Sequence, residues 1–348
     1  MPKISVNNIK KLINRVFSQT KVPSSDVEII TDTIIYSHLI GRATHGITRL
    51  PIYIKKIKNG SLNPLNEIQR IKETPVISVY DGKHGFGQVL ANFGINKAIE
   101  KSDKYGIGIV GIRNSNNFGT ISYFLNQIVK NNKIGVIMTN SAPAVAPWGG
   151  NKALFGTNPI GFCFPTPQGI PPIILDMATS IVARGKIRLA AKRNQTIPFG
   201  WALDKEGNPT QDPNLALKGS LLPIGDHKGS GLSLVVDFFS GLLTGSSFGG
   251  MVRNLNTDGE KSKNGHFIMV IDPFFFQEEN EYNLNVQYLI NSIKKTGNNV
   301  FYPGEKSFKL KVNNNGIIEI SDNVYKEIIL LCKQLKIQFN LNLYGGKK

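Results

Sequence analysis

Residues 76–94 read VISVYDGKHGFGQVLANFG. An alternating apolar run, a glycine-bearing turn and the start of a helical pattern follow one another. That order is the one that carries a dinucleotide fingerprint in a doubly wound fold. The fingerprint requires a third small residue three positions after the second glycine, and here Gly85 and Gly87 are followed there by Leu90. No acidic residue closes a second strand at the usual distance. The stretch therefore predicts strand, turn and helix without the standard phosphate cradle. Working outward, IGIVGIR (107–113) reads as a buried strand, ISYFLNQIVKNN (121–132) as a helix and KIGVIMTN (133–140) as another strand. The β-α-β-α-β order places an α/β layer in the first half of the chain.

The flanks have a different texture. Residues 1–40 show apolar positions at helical spacing: Val6, Ile9, Leu12, Ile13, Val16 and Phe17, then Val27, Ile30, Ile34 and Leu39. Ser25 and Glu28 form a capping-box pattern at the start of the second helix. A third helix is expected within 47–60, and Pro64 and Pro75 bracket a linker. Residues 141–230 are rich in glycine and proline and predict loops and short strands. GLSLVVDFFSGLLTG (231–245) reads as one buried helix, and GHFIMVIDP (265–273) as a strand. Helices are expected near 280–295 and at the end of 316–335.

Composition narrows the classes. Of 348 residues, 41% are apolar and 19% charged, as in an ordinary soluble globular protein. No apolar run reaches the roughly 18 residues of a membrane helix. The start of the chain is amphipathic and lacks the apolar core of a signal peptide, so a cytoplasmic location is expected. The net charge of +17 is spread over scattered lysines with no block interleaved with aromatics. A nucleic-acid partner is not expected, whereas attraction of an anionic substrate is. Cys163 and Cys332 sit in apolar surroundings and are expected to be unpaired. P-loop, zinc-protease and nucleophile-elbow motifs are absent. The five histidines, His38, His45, His84, His227 and His266, are far apart in sequence, and no metal site is expected.

What remains is a set of polar, glycine-rich loops with too many apolar residues for disorder. THGITRLPIY, KYGIGIVGIRNSNNFG, TNSAPAVAPWGG, GTNPIGF, ILDMATSIVARGKI, IPFGWALDKEGNPTQDP, LLPIGDHKGSGLS, GHFIMVIDP and YPGE follow in order along the chain. On these stretches the chain resembles the second type of malate/L-lactate dehydrogenase family. Its members include sulfolactate, ureidoglycolate and diketogulonate oxidoreductases and cyclic imino-acid reductases. The likeness runs almost end to end. It implies an α/β fold: a non-Rossmann nicotinamide-binding domain with a mixed sheet, over residues 75–234, plus a mostly helical domain. The second, dimerising domain would combine residues 1–74 with roughly 235–348. It further implies NAD or NADP as cofactor, a small anionic 2-oxo or 2-hydroxy acid as substrate, and a homodimer.

Such chemistry needs a proton donor or acceptor at the carbonyl oxygen and a grip on the carboxylate. Histidine suits the first because its pKa lies near neutrality, and arginine's planar fork suits the second. GRATHGITRL (41–50) supplies both, since His45 and Arg49 are four apart and would share one face of a helix start. Thr44 stands where the family usually has serine and keeps a hydroxyl. Asn117 stands where members often carry histidine; asparagine can orient a carbonyl but cannot titrate. The resemblance therefore places the proton transfer on His45. For the cofactor it implies Asp176, Met177, Ala178, Thr179 and Ser180, the pair His227 and Lys228, the run Gly304, Glu305 and Lys306, and Ser141 as a lesser candidate. Hydroxyls, loop amides and a lysine suit phosphate. Asp176 would anchor the nicotinamide or support His45; the plain alternative is a strand-end carboxylate held by backbone amides. Trp148 and Trp201 are expected in the core or at a domain interface. Ureidoglycolate and cyclic imino acids are the alternative substrates. Asn117 also leaves room for a non-catalytic binding homodimer.

Overall fold

The computed structural model describes residues 2–255, 257–314 and 316–338. The chain starts with β1 (Lys3–Ser5), α1 (Val6–Phe17), α2 (Ser24–Leu39) and α3 (Leu50–Lys58). Ser5 caps α1, its hydroxyl accepting from the Asn8 amide at 3.2 Å. The apolar face read from the spacing is buried, with Ile9, Leu12, Ile13, Val16 and Phe17 in one core. The capping box does not form. Helix α2 begins at Ser24, Pro23 takes the extended cap position with φ −58°, and no side chain caps it. Proline's fixed φ starts the helix one residue early and leaves Ser25 inside the first turn.

The sheet comprises β2 (Gln69–Glu73), β3 (Ile77–Asp81), β4 (Ile107–Ser115), β5 (Ile134–Thr139), β6 (Ile160–Phe164) and β7 (Ile173–Met177), with helices α4 (Gly87–Tyr105) and α5 (Ile121–Val129) between its earlier strands. Further along lie α6 (Arg184–Lys192), β8 (Ala202–Leu203), β9 (Pro209–Thr210), α7 (Pro213–Lys218) and β10 (Ser220–Leu221), which build a small satellite around Val145, Ile187 and Leu221. Next come α8 (His227–Asp237), β11 (Asn264–Ile271), α9 (Glu279–Lys295), α10 (Glu305–Asn313), β12 (Ile317–Glu319) and α11 (Asp322–Gln334). The mixed seven-stranded sheet runs β2-β3-β4-β11-β5-β6-β7. Only β3 and β4 pair in parallel. Strand β11, beyond the domain boundary expected near 235, is therefore the middle of the sheet. It runs antiparallel between β4 and β5, with Ile268 opposite Val110 on one side and Ile137 on the other. The chain ends meet where β1 pairs with β12, and Ile318, Ile328 and Leu331 complete the helical core.

The glycines of DGKHGFG serve packing. A Cβ on Gly87 would lie 2.1 Å from the Asn116 carbonyl oxygen, so only glycine lets α4 start against the 116–117 backbone. Phe86 plugs the helical core, edge-on to Phe17 at 5.8 Å and Tyr53 at 5.5 Å. Such aromatic pairs add about 1 kcal/mol each beyond area burial.

The segment 231–245 is not a buried helix. Helix α8 passes into a π turn at Phe238–Leu242, and Leu232, Leu234, Val235, Phe238, Leu242 and Leu243 are exposed. The run is apolar on all sides, and the chain covers only the side that carries Ser233, Val236 and Ser240. Cys163 and Cys332 are buried and unpaired. No helix among the described residues is long and apolar enough to cross a membrane.

Candidate active site

After α2 the chain turns at Gly41 and makes two short 3-10 turns, Ala43–His45 and Ile47–Arg49. His45 and Arg49 thus sit on two consecutive turns, not on the single helix start expected from their spacing. What joins them is the Thr44 backbone. Arg49 Nε donates to the Thr44 carbonyl at 2.8 Å, and the Thr44 hydroxyl lies 3.2 Å from His45 Nδ1. The terminal nitrogens of Arg49 make no hydrogen bond among the described residues, so its fork stays open for a carboxylate. Burial, then Arg49, then Arg42 push the His45 pKa down to about 3. The imidazole is neutral near physiological pH and is a proton acceptor.

The loop is more cationic than its sequence suggested. Helix α6 packs on it, and a Cβ on Gly185 would lie 3.3 Å from the Thr44 methyl. Burial lowers the Arg49 pKa, and the positive charge of Arg188 lowers it further. Arg184 is committed to the carbonyls of Leu217 at 2.7 Å and Gly219 at 3.2 Å. Arg188 is exposed and has no such partner among the described residues. Arg42 donates to the Asp176 carbonyl at 3.1 Å. Neither Arg42 nor Arg188 was singled out from sequence. The available signal was ARGKIR, which puts Arg184 and Arg188 on one helix face.

Asn117 lies in the loop after β4, its Oδ1 accepting the Gly119 amide at 3.0 Å, which leaves its Nδ2 to donate. Beneath that loop, His266 is fully buried in β11. Its Nδ1 lies 2.8 Å from the Thr139 hydroxyl and its Nε2 2.7 Å from the Ser115 hydroxyl. Each hydroxyl also reaches a carbonyl, Thr139 to Gly265 at 3.0 Å and Ser115 to Asn116 at 3.3 Å. His266 therefore ties the ends of β4 and β5, which lead into the Asn117 and Ser141 loops. Sequence reading left it as one of five dispersed histidines.

The expected cofactor residues fall into two groups. Ser141 and Thr179 meet around Thr157: the Ser141 hydroxyl is 3.4 Å from the Thr157 hydroxyl, and the Thr179 amide donates to the Thr157 carbonyl at 2.9 Å. Thr179 also reaches the Ser233 hydroxyl of α8 at 2.7 Å. His227 and Lys228 are exposed on the first turn of that helix. Ser180 spends its hydroxyl on the Val182 carbonyl at 2.9 Å. Trp148 is exposed and edge-on to His227 at 6.4 Å, so it is not a core residue of the chain; Trp201 packs against the satellite core.

The second group lies at a cavity of about 480 Å³, which Asp176 and Gly304 line together with Arg42. Asp176 accepts the Ser122 amide at 3.0 Å at the start of α5, and Arg42 lies 3.9 Å away. Its contacts are thus a backbone amide and Arg42, and none joins it to His45 among the described residues. Met177 and Ala178 follow it, half-buried. Gly304 has φ +93°, and a Cβ there would lie 3.0 Å from the Ile174 amide nitrogen. The Glu305 carboxylate is paired with Lys294, and with Lys309 at 3.0 Å. Lys306 lies over the Phe301 ring at 4.5 Å and outside the cavity. Among the described residues no group of side chains is arranged to hold a metal ion.

The malate/L-lactate dehydrogenase family matches residues 4–329. The malate/(S)-sulfolactate dehydrogenase of Methanothermus fervidus is 37% identical over 96% of this chain and 98% of its own. The Escherichia coli K12 ureidoglycolate dehydrogenase (NAD(+)) is 33% identical over 94% of this chain and 95% of its own. The solved sulfolactate dehydrogenase of Methanocaldococcus jannaschii superposes with a TM-score of 0.91 at 35% identity, covering 97% of this chain and 98% of that one. An end-to-end likeness at this level, on the fold and loops described above, settles the class. The chain belongs to the malate/L-lactate dehydrogenase family.

Proposed function

We propose that the protein is an NAD- or NADP-dependent dehydrogenase of small 2-hydroxy acids, with His45 as acid/base and Arg49 as the carboxylate clamp. The observation that carries this reading is the 42–49 loop. It holds a neutral imidazole and an open guanidinium on one residue, Thr44, the ring at its hydroxyl and the guanidinium at its carbonyl. The chain fits a nicotinamide dinucleotide: Gly304 lines the cavity beside Asp176 where a Cβ would crowd the Ile174 backbone, and the Ser141 hydroxyl and the amides after Gly304 offer donors. The mixed sheet with its single parallel pair supports a nucleotide site built without the doubly wound fingerprint.

A nicotinamide held there would supply the hydride acceptor for oxidation and the donor for reduction. Arg49 receives the carboxylate on its two terminal nitrogens. Nδ1 of His45 is engaged with Thr44, so Nε2 takes the hydroxyl proton as the alcohol becomes a carbonyl. In the reverse direction the same nitrogen returns it. Asn117 orients the oxygen through Nδ2. Arg188 extends the positive field beyond Arg49, which favours an acid with a second anionic group, as in malate or sulfolactate. Ureidoglycolate and cyclic imino acids lack that second charge. Absorbance of NADH and NADPH over a panel of 2-oxo acids, ureidoglycolate and cyclic imines tests the reading. Turnover of dianionic 2-oxo acids is expected, and none with any 2-oxo acid would overturn it.

The exposed apolar strip of α8 and its π turn supports a homodimer with that strip at the interface. On this reading residues 1–74 and those from about 235 form the dimerising side, residues 75–234 with β11 form the cofactor side, and α8 crosses the boundary. Light scattering of Leu234→Glu/Phe238→Glu should shift the mass from dimer to monomer, and an unchanged mass would remove that interface. Two buried free cysteines fit a cytoplasmic protein.

A further inference from the structure

The cavity beside Asp176 carries unbalanced charge. Arg42, Lys130 and Lys311 line it against a single carboxylate, Asp176. That carboxylate is already engaged by the Ser122 amide and Arg42. Lys130 follows α5 and Lys311 lies in α10, and neither forms an ion pair among the described residues. The Lys311 ammonium stands 5.2 Å from the Tyr36 ring centroid, on the cavity wall. Burial and the Lys130 charge both lower its pKa, so the two cations feel one another without a counter-ion.

A dinucleotide site that takes NAD usually offers the ribose an acidic side chain, whereas one that takes NADP offers a cation. This cavity has its one acid spent and two cations free. We infer that it takes the adenosine end of the cofactor, and that Lys130 and Lys311 bind the phosphate monoester on its ribose, so that the protein selects NADP over NAD. The inference rests on the nucleotide reading of Asp176 and Gly304. Phosphate could also reach these lysines from the pyrophosphate bridge that both cofactors share. Discrimination between NADP and NAD separates the two sources.

The test is equilibrium binding to the full-length protein. Dinucleotide binding is followed by NADPH and NADH fluorescence, and calorimetry compares adenosine 2′,5′-bisphosphate with 5′-AMP. Wild-type protein should bind NADPH and the bisphosphate at least ~10-fold tighter than NADH and 5′-AMP, as charge-assisted contacts to phosphate require. Lys130→Gln/Lys311→Gln should lose most of that preference and change NADH affinity by less than about 2-fold. Lys311→Arg, which keeps the charge, should retain it. Equal weakening of NADH and NADPH would assign the lysines to the shared pyrophosphate and overturn the inference, as would equal wild-type affinity for both. Binding of neither dinucleotide would overturn the nucleotide reading itself. Both glutamine changes lie at the cavity rim, and unchanged melting curves exclude misfolding as the cause.

Discussion

Two histidines, His45 in the 42–49 loop and His266 at the start of the central strand, are both held neutral, with pKa values pushed down to about 3. For His266 the cause is burial, and both ring nitrogens are engaged by hydroxyls. For His45 burial leads as well, but Arg49 and Arg42 add to it, and Nε2 is free of hydrogen bonds among the described residues. The difference decides what each can do. An anion bound on Arg49 would cancel part of the repulsion at His45 and raise its pKa toward neutrality. No ligand in the loop would change the solvation of His266. On the proposed function one imidazole titrates with substrate, while the other is a rivet between the strand ends.

The sharpest break in this comparison is His45→Ala. It should lower kcat by about 10²–10⁴-fold, the usual share of a positioned acid/base, with the melting temperature preserved. A variant that keeps the wild-type rate would end the proton-transfer role. His266→Leu should do the opposite. It removes the ring that links the Ser115 and Thr139 hydroxyls across the strand ends and should destabilise the fold by about 1–3 kcal/mol, visible as a lower denaturation midpoint. Unchanged stability would mean that the rivet is idle. A smaller effect is expected at Arg188→Ala. KM should rise about 10-fold for a dianionic acid and stay near wild type for lactate, and equal KM changes would remove Arg188 from substrate recognition.

The same two shifts also set the pH dependence of folding. Both histidines have folded-state pKa values below the ordinary 6.5, so the unfolded chain binds more protons between about 3 and 6.5. Stability is full above the unfolded pKa and is lost as the pH falls through that window. His38 and His84, lowered to about 4, act in the same direction. Denaturant midpoints at stepped pH should fall from pH 7 to pH 4, and His266→Leu should flatten the slope. An unchanged slope in that variant would contradict the burial origin of its shift.

Much of this arrangement was legible in the sequence. Alternation and glycine punctuation announced β3-α4-β4-α5-β5, because each element follows its neighbour along the chain. His45 and Arg49 stood out by their chemistry and by the family resemblance, but their spacing misled, since they meet through Thr44 on consecutive turns and not on one helix start. The middle strand β11 was readable as a strand but not as the centre of the sheet, since its partners Val110 and Ile137 lie more than a hundred residues away. The capping box failed because a proline two positions before Ser25 fixed the cap. The run 231–245 misled because all-round apolar character does not say which side the chain itself covers. The role of Asp176 was undecided because a strand-end carboxylate reads alike whether it meets a ligand or a backbone amide. Arg188 was missed because its value lies in a contact between segments 139 positions apart (49 and 188).

The central claim is that an anion on Arg49 controls the basicity of His45. Selective ¹³C labelling of histidine ring carbons would follow His45 and His266 through a pH titration, with assignments from His45→Ala and His266→Leu. The titration would be run on free protein and on protein saturated with oxidised dinucleotide and oxalate, a dicarboxylate with no hydride to give. A His45 midpoint that rises by at least about one unit with oxalate, while His266 stays put, is the expected result. A His45 midpoint indifferent to oxalate would contradict the claim.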